Sequence, residues 1–117
     1  MKIAFFDTKP YDRIWFDLLA KEYGYKIKYF EHRLNPDTAP LSRGYDVVCA
    51  FVNDDLSAAV IDLLCEHKVG LLALRCAGYN NVDLAAARGR LPIVRVPNYS
   101  PAAVAEHAAA LLLSVNR

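Results

Sequence analysis

The chain carries five short runs of apolar and β-branched residues, each bounded by Gly, Pro, Asn or Asp. Such runs between turn-forming residues are typical of buried β-strands. The predicted strands cover residues 2–6, 26–30, 46–51, 71–75 and 93–96.

Helical periodicity lies between these strands. The first predicted helix begins with Thr8 as its cap and Pro10 in its first turn, and it ends near Gly24. Its apolar stripe comprises Tyr11, Ile14, Trp15, Leu18 and Leu19. Because the stripe is one-sided, this helix is expected to cover the sheet.

The second predicted helix opens at Asp55 or Ser57 and closes near Gly70. Its stripe comprises Val60, Ile61, Leu64 and Cys65. A short third helix is predicted over residues 83–88, with Gly89 as its stop.

Strands that alternate with helices favour right-handed βαβ crossovers and a parallel sheet covered on both faces. Residues 32–44 are rich in turn formers, and they predict a loop with at most one helical turn. The predicted fold class is therefore α/β, a doubly wound parallel five-stranded sheet. In such sheets ligands bind beyond the carboxyl ends of the strands.

Length and composition indicate one soluble globular domain. The chain has 117 residues, of which 55% are hydrophobic and 23% charged, with a formal net charge of +1. Since the two signs interleave, neither nucleic acid nor an anionic membrane is an expected partner. No apolar run approaches the roughly 18 residues of a membrane span, and the first residues do not resemble a signal peptide.

The cysteines Cys49, Cys65 and Cys76 lie among apolar residues and have no Cys-x-x-Cys spacing. An odd number in such surroundings suits reduced core thiols better than disulfides or a zinc site. We therefore expect a reducing compartment, the cytoplasm, and no metal site.

The loop after the fourth predicted strand is the most informative segment. Gly78 permits close backbone approach, and Asn81 or Asp83 can cap the next helix, so amide groups could converge there on a small carboxylate. The alternative is an ordinary strand-to-helix turn. Arg75 could clamp a carboxylate or pair with a neighbouring acid, and Cys76 could be a nucleophile or a structural thiol.

Other candidate residues follow the third and fifth predicted strands. Phe51 could shape an apolar pocket, and Asp54 and Asp55 could hold a metal or, by default, cap a helix. Tyr99 stands on a Pro-bounded turn, where its hydroxyl could reach the same crevice or its ring could stay half-buried at the surface.

A helix predicted over residues 100–117 is apolar nearly all round, with Glu106 and His107 as its main polar residues. Two interpretations are open: it packs on one face of the sheet, or its second face belongs to more chain or to a partner subunit. His107 could act as base to Cys76 only if the two meet in space.

Three segments, FVNDD, LRCAGYNNVDLAAA and VRVPNYSPAAVAEHA, resemble in text, order and spacing the amino-terminal part of the D-isomer-specific 2-hydroxyacid dehydrogenases, most closely the fermentative D-lactate dehydrogenases among them. The resemblance implies a flavodoxin-like substrate domain and a Rossmann nicotinamide domain with the active site between them. Residues 1–99 would form the substrate-binding domain, and residues 100–117 the helix that leads to the nicotinamide domain.

The resemblance also implies roles for individual residues. Ala77 and Gly78 would offer backbone amides to the carboxylate of pyruvate or D-lactate. Phe51 would form the wall of the pocket at the side-chain end of the substrate. Tyr99 would line the substrate and nicotinamide pocket, and Val104 would lie against the nicotinamide ring of NAD.

The family's Gly-x-Gly-x-x-Gly turn does not occur in this sequence, and Arg75, Glu106 and His107 fall outside the family's motifs for its catalytic arginine, glutamate and histidine. We therefore expect no catalytic residue within the chain, which would position the substrate for hydride transfer and be inactive alone. The full-length enzyme would be a homo-oligomer.

Two other functions stay open at this point. A phosphoreceiver of flavodoxin-like topology would place acids after its first and third strands, where Asp7 and Asp54 stand. Such receivers also need a second acid beside the first, a Ser or Thr after strand four and a Lys after strand five, whereas Cys76 and Arg95 stand near the last two places. A free-standing module for small acids would use the Gly78 turn without redox chemistry.

Overall fold

The computed structural model describes residues 1–51, 53–75 and 81–95, without the side chains of Trp15, Leu19 and Arg95. Its five strands form one parallel sheet in the order β2-β1-β3-β4-β5. They are β1 (Lys2–Phe5), β2 (Lys26–Tyr29), β3 (Val47–Ala50), β4 (Leu71–Leu74) and β5 (Ile93–Arg95). Each lies within a predicted run, and the predicted α/β class with its parallel five-stranded sheet is confirmed.

Within these ranges, three α-helices join the strands: α1 (Pro10–Tyr23), α2 (Ala58–Glu66) and α3 (Leu84–Ala87). The connection between β2 and β3 contains only a 3-10 helix, Ala39–Ser42, as its turn-rich sequence predicts. Helix α2 ends before the predicted stop near Gly70, because Lys68 takes a left-handed φ of 63°. None of the helices in the described ranges is long and apolar enough to cross a membrane.

The start of α1 differs from the prediction. Thr8 is not the cap, because its hydroxyl donates to the backbone oxygens of Phe5 and Phe30 at 3.1 and 2.9 Å. Lys9 is the capping position instead, and its N–H donates to Oδ2 of Asp12 at 2.8 Å. Thr8 thus ties the start of α1 to the ends of β1 and β2.

The buried face of α1 also differs from the predicted stripe. Three of the five stripe residues are substantially exposed: Tyr11 by 38%, Ile14 by 63% and Leu18 by 62%. The side chains of the other two, Trp15 and Leu19, lie outside the described part of the structure. The face turned to the sheet instead carries Asp12 and Phe16, which are 5% and 6% exposed. The helix ends as predicted at Gly24, which has a left-handed φ of 75°.

Side chains of the sheet alternate between two buried clusters. On the face covered by α2 and α3, Val48 belongs to one cluster with Ile61 and Leu64. On the opposite face, Val47 belongs to a second cluster with Phe16 of α1. Because β3 is covered on both faces, its sequence is a continuous apolar run rather than an alternating one.

Candidate functional site

The loops after β3 and β4 are joined to one another at the carboxyl edge of the sheet. The Arg75 N–H donates to the backbone oxygen of Ala50 at 2.9 Å. Beyond residues 76–80, Nδ2 of Asn81 donates to the backbone oxygen of Asp54 at 2.8 Å. The two described residues that flank the segment predicted to bind a carboxylate are therefore bound to the last residue of β3 and to the loop after it.

The far end of this segment leads directly into α3. Asp83 is the cap of α3, since its Oδ1 accepts the Ala86 N–H at 3.0 Å. Its own N–H donates to the backbone oxygen of Leu56 at 2.9 Å, beside the parallel bridge between Leu56 and Val82. Of the two predicted caps, Asp83 is the one observed, whereas Asn81 makes the link between the loops.

Arg75 is an internal ion-pair partner rather than a free clamp. The residue is 2% exposed, and its Nη1 lies 2.7 Å from Oδ2 of Asp12. Its Nη2 donates to the backbone oxygens of Phe6 and Asp7. Of the two interpretations of Arg75, pairing with a neighbouring acid is the one confirmed.

The same guanidinium contacts two aromatic rings. Its Cζ lies 4.1 Å from the ring centroid of Phe5 and 4.9 Å from that of Phe51, close enough for attraction between the cation and the ring faces. The Phe51 N–H also donates to Oδ2 of Asp54 at 2.7 Å. The half-buried Phe51 is thus held from two sides, and its role as the substrate wall stays a prediction.

Asp54 does not cap a helix, so the default interpretation was wrong for this residue. It is 2% exposed, and its two carboxylate oxygens accept the N–H groups of Leu34 and Phe51, both at 2.7 Å. Burial raises the pKa of Asp54 above its ordinary value, and the two N–H donors oppose that shift. Asp55 is closer to the predicted role, since its Oδ1 accepts the Ser57 N–H at 2.9 Å where α2 begins.

These contacts argue against a phosphoreceiver. A phosphoacceptor carboxylate must be reachable by its donor, yet both oxygens of Asp54 are buried in backbone hydrogen bonds. The side chain of Asp7 is 4% exposed and paired with Lys9 at 3.0 Å. In the part of the chain that the structure describes, no three His, Cys, Asp or Glu side chains are grouped so that they could hold a metal ion.

The described cysteines form no disulfide. Cys49 is buried and Cys65 half-buried, and both are free. Burial raises the pKa of Cys49 to about 12, although the nearby charge of Arg75 acts in the opposite direction. Cys49 is therefore a core thiol and not a nucleophile.

Several predicted site residues lie outside the described residues: Ala77, Gly78, Tyr99, Val104, Cys76, Glu106 and His107. The residue that the sequence analysis missed is Asp12. Its signal was present, because Asp12 and Phe16 are four residues apart and so share one face of a helix. Arg75 ends the fourth predicted strand and needs an acidic partner when it is buried. That need could have identified the helix face that carries Asp12 as the buried one.

Known proteins resemble this chain over nearly its whole length. The family model described as D-isomer specific 2-hydroxyacid dehydrogenase, catalytic domain, matches residues 3–114. A 2-hydroxyacid dehydrogenase homolog of Haemophilus influenzae is 47% identical over 118 aligned residues, which cover 100% of this chain and 36% of that protein. The D-lactate dehydrogenase of Escherichia coli is 45% identical over the same share of each chain.

Solved structures agree in fold. The apo-structure of the Escherichia coli D-lactate dehydrogenase superposes with a TM-score of 0.82 and covers 100% of this chain and 38% of its own. The D-lactate dehydrogenase of Lactobacillus jensenii, solved with NAD+, has a TM-score of 0.77 at 28% identity and covers 100% of this chain and 36% of its own. The chain thus spans little more than a third of the length of the proteins it resembles.

Proposed function

The chain belongs to the D-isomer-specific 2-hydroxyacid dehydrogenase family, and we propose that it is the substrate-binding domain of an NAD-dependent D-lactate dehydrogenase. One observation carries the proposal: Arg75 and Asn81, the described residues that flank the segment 76–80, bind the end of β3 and the loop after it, and Arg75 lies against the Phe51 ring. These contacts lie at the carboxyl edge of the sheet, where doubly wound folds bind their ligands. The 45% identity to a D-lactate dehydrogenase supports pyruvate and D-lactate as the substrate pair.

In this proposal, residues 1–99 form the substrate-binding domain, and residues 100–117 form the helix that leads to the nicotinamide domain. Such a helix would be apolar on several faces because it packs against both domains. The free thiols Cys49 and Cys65 support a reducing compartment, the cytoplasm. We propose a homo-oligomer for the full-length enzyme, since closed symmetric assemblies are the commonest state of soluble oligomeric proteins.

The residues of this chain would bind and orient the substrate. The backbone amides of Ala77 and Gly78 would donate to the carboxylate of pyruvate, and the Phe51 ring would contact its methyl group. Tyr99 would close the same pocket. Arg75, which is paired with Asp12, would hold the Phe51 ring without touching the substrate.

The chain lacks the glycine-rich turn that holds the phosphates of a dinucleotide in Rossmann domains. Its glycines are Gly24, Gly44, Gly70, Gly78 and Gly89, and no three of them make the Gly-x-Gly-x-x-Gly spacing. NAD would therefore be held mainly by sequence outside this chain, with Val104 against the nicotinamide ring. The reduced cofactor, when bound, supplies the hydride that reduces the keto carbon of pyruvate.

The first experiment is to read the source transcript beyond the codon for Arg117. We expect roughly 150 or more further residues that contain a strand, a Gly-x-Gly-x-x-Gly turn and a helix. A stop codon in their place would contradict the proposed enzyme.

The second experiment assays the longer protein and the 117-residue chain side by side. The longer protein should oxidise NADH in the presence of pyruvate and release D-lactate, and the chain alone should be inactive. A comparison of pyruvate with 2-oxobutyrate, which is one methylene longer, tests whether Phe51 limits the length of the substrate side chain. One methylene in a pocket changes the free energy that discriminates two substrates by about 1–3 kcal/mol. Activity of the chain alone would refute its expected inactivity, and a longer protein without activity would refute the assignment.

A further inference from the structure

One face of the β1–β2 ladder lies open near the amino ends of these strands. The connection between β2 and β3 contributes only its 3-10 helix, and no longer helix crosses this face in the described ranges. Ile27 and Tyr29 of β2 pack into the cluster beneath α1. Because side chains alternate along a strand, the exposed Lys26 and Lys28 project from the opposite, open face.

Lys2 of β1 projects from the same face. Its neighbour Ile3 packs beneath α1, and the strand register pairs Lys2 directly with Lys26. Neighbouring strands are about 4.8 Å apart. Two like charges placed directly opposite one another destabilise a sheet, and Lys28 adds a third charge two residues along the same strand.

The loop before β3 brings a fourth cation to this place. Arg43, Gly44 and Tyr45 complete the rim of a depression of about 310 Å³ that the three lysines line. Among the ion pairs of the described residues, none involves Lys2, Lys26, Lys28 or Arg43. The four cations therefore lack acidic partners in the part of the chain that the structure covers.

One acid stands beside the cluster. Asp46 is exposed, and its Oδ2 accepts the backbone N–H of Lys2 at 2.8 Å. That carboxylate is thus engaged by the main chain and not by a lysine ammonium. Four cations against one acid leave a local excess of positive charge in a chain whose formal net charge is only +1.

The four cations around this depression favour the binding of a small anion that carries several charges. Lys ammonium groups bind phosphate as point charges, and an Arg guanidinium binds it through two parallel hydrogen bonds. Small-molecule sites usually measure about 300–1,000 Å³, and this depression lies at the lower limit of that range. A single-charge anion would leave most of the repulsion in place, whereas two or three linked phosphates would relieve it.

We propose that the depression formed by Lys2, Lys26, Lys28, Arg43 and Tyr45 binds the diphosphate or triphosphate group of a small molecule. The site lies at the amino ends of β1 and β2, and the candidate substrate site lies at the carboxyl ends of β3 and β4. The proposal is therefore independent of the proposed dehydrogenase function, and its ligand does not compete with the substrate.

Titration calorimetry with sodium tripolyphosphate tests the site, with ionic strength held constant by NaCl so that general screening does not change. We expect saturable binding of one tripolyphosphate per chain and at least tenfold weaker binding in the double variant Lys26→Gln/Lys28→Gln. The control Lys21→Gln removes an exposed lysine from the last turn of α1 and should change affinity less than twofold.

Two further measurements distinguish a specific phosphate site from a loss of folding in the variant and from general attraction of polyanions. Without ligand, the double variant should melt no lower than the parent protein, because the substitutions remove a repulsion between like charges. ATP should compete with tripolyphosphate for the same site. Binding that never saturates, an equal loss in Lys21→Gln, or displacement by a short oligonucleotide at lower concentration than by ATP would overturn the proposal.

Discussion

The buried ion pair between Arg75 and Asp12 invites a direct test by Asp12→Asn. The substitution keeps the size of the side chain and an oxygen that can accept the Lys9 N–H, but it removes the negative charge. The Arg75 side chain is 3% exposed and the Asp12 side chain 7%, so solvent cannot replace the lost carboxylate. The variant therefore contains a buried cation without its counter-charge.

The expected loss of stability follows from what remains around the guanidinium. Breaking a buried pair by removing one partner destabilises proteins by about 3–5 kcal/mol. Here the backbone oxygens of Phe6 and Asp7 and the rings of Phe5 and Phe51 still contact the cation. We therefore expect a loss near the lower limit, about 3 kcal/mol, out of a total of about 5–15 kcal/mol for a domain.

Urea unfolding followed by circular dichroism measures this loss. The matched control is Asp62→Asn, which removes the exposed pair between Asp62 and Arg90, where the side chains are 61% and 45% exposed; its unfolding midpoint should hardly move. The double variant Asp12→Leu/Arg75→Met should regain most of the lost stability, because no unpaired charge is left buried. A loss in Asp12→Asn as small as in Asp62→Asn would refute the reasoning.

Three other outcomes are expected. Leu64→Ala should destabilise the protein by about 2–5 kcal/mol in the same urea assay, since Leu64 is fully buried; a loss below that range would mean that the core collapses around the cavity. Gly78→Val in the longer enzyme should raise the KM for pyruvate while the melting temperature changes little, and an unchanged KM would count against the carboxylate site. Native protein at pH 8 should react with iodoacetamide at Cys65 well before Cys49, because a pKa of about 12 leaves the Cys49 thiol protonated; equal rates by mass spectrometry would contradict the burial of Cys49.

The sheet could be predicted because its signal is local. Strands β3 and β4 are buried along their whole length, so their apolar runs stand out from the turn formers on either side. The short 3-10 connection was equally visible, since Pro and Asn residues there exclude a long helix. The strands and this connection are determined by residues close together in the sequence, so the local pattern of apolar and turn-forming residues is enough to predict them.

The rotation of α1 could not be predicted in the same way. Apolar periodicity placed Ile14 and Leu18 on the buried face, but the helix instead turns Asp12 and Phe16 toward the sheet. On this face, Asp12 contacts Arg75, which is 63 residues away along the chain. A partner so distant in sequence cannot be read from local apolar periodicity.

The ion pair between Arg75 and Asp12 also links the candidate site to the stability of the fold. Arg75 directly follows β4 and precedes the 76–80 segment in the sequence. Its guanidinium lies against the Phe51 ring and is paired with Asp12 in the first turn of α1. Stability and site geometry therefore depend on one buried side chain. Substitutions of Arg75 or Asp12 would alter both together, whereas Gly78 and Asn81 follow both partners of the ion pair in the sequence. We therefore expect a substitution of Gly78 to change the proposed binding of the substrate carboxylate and to leave the core intact.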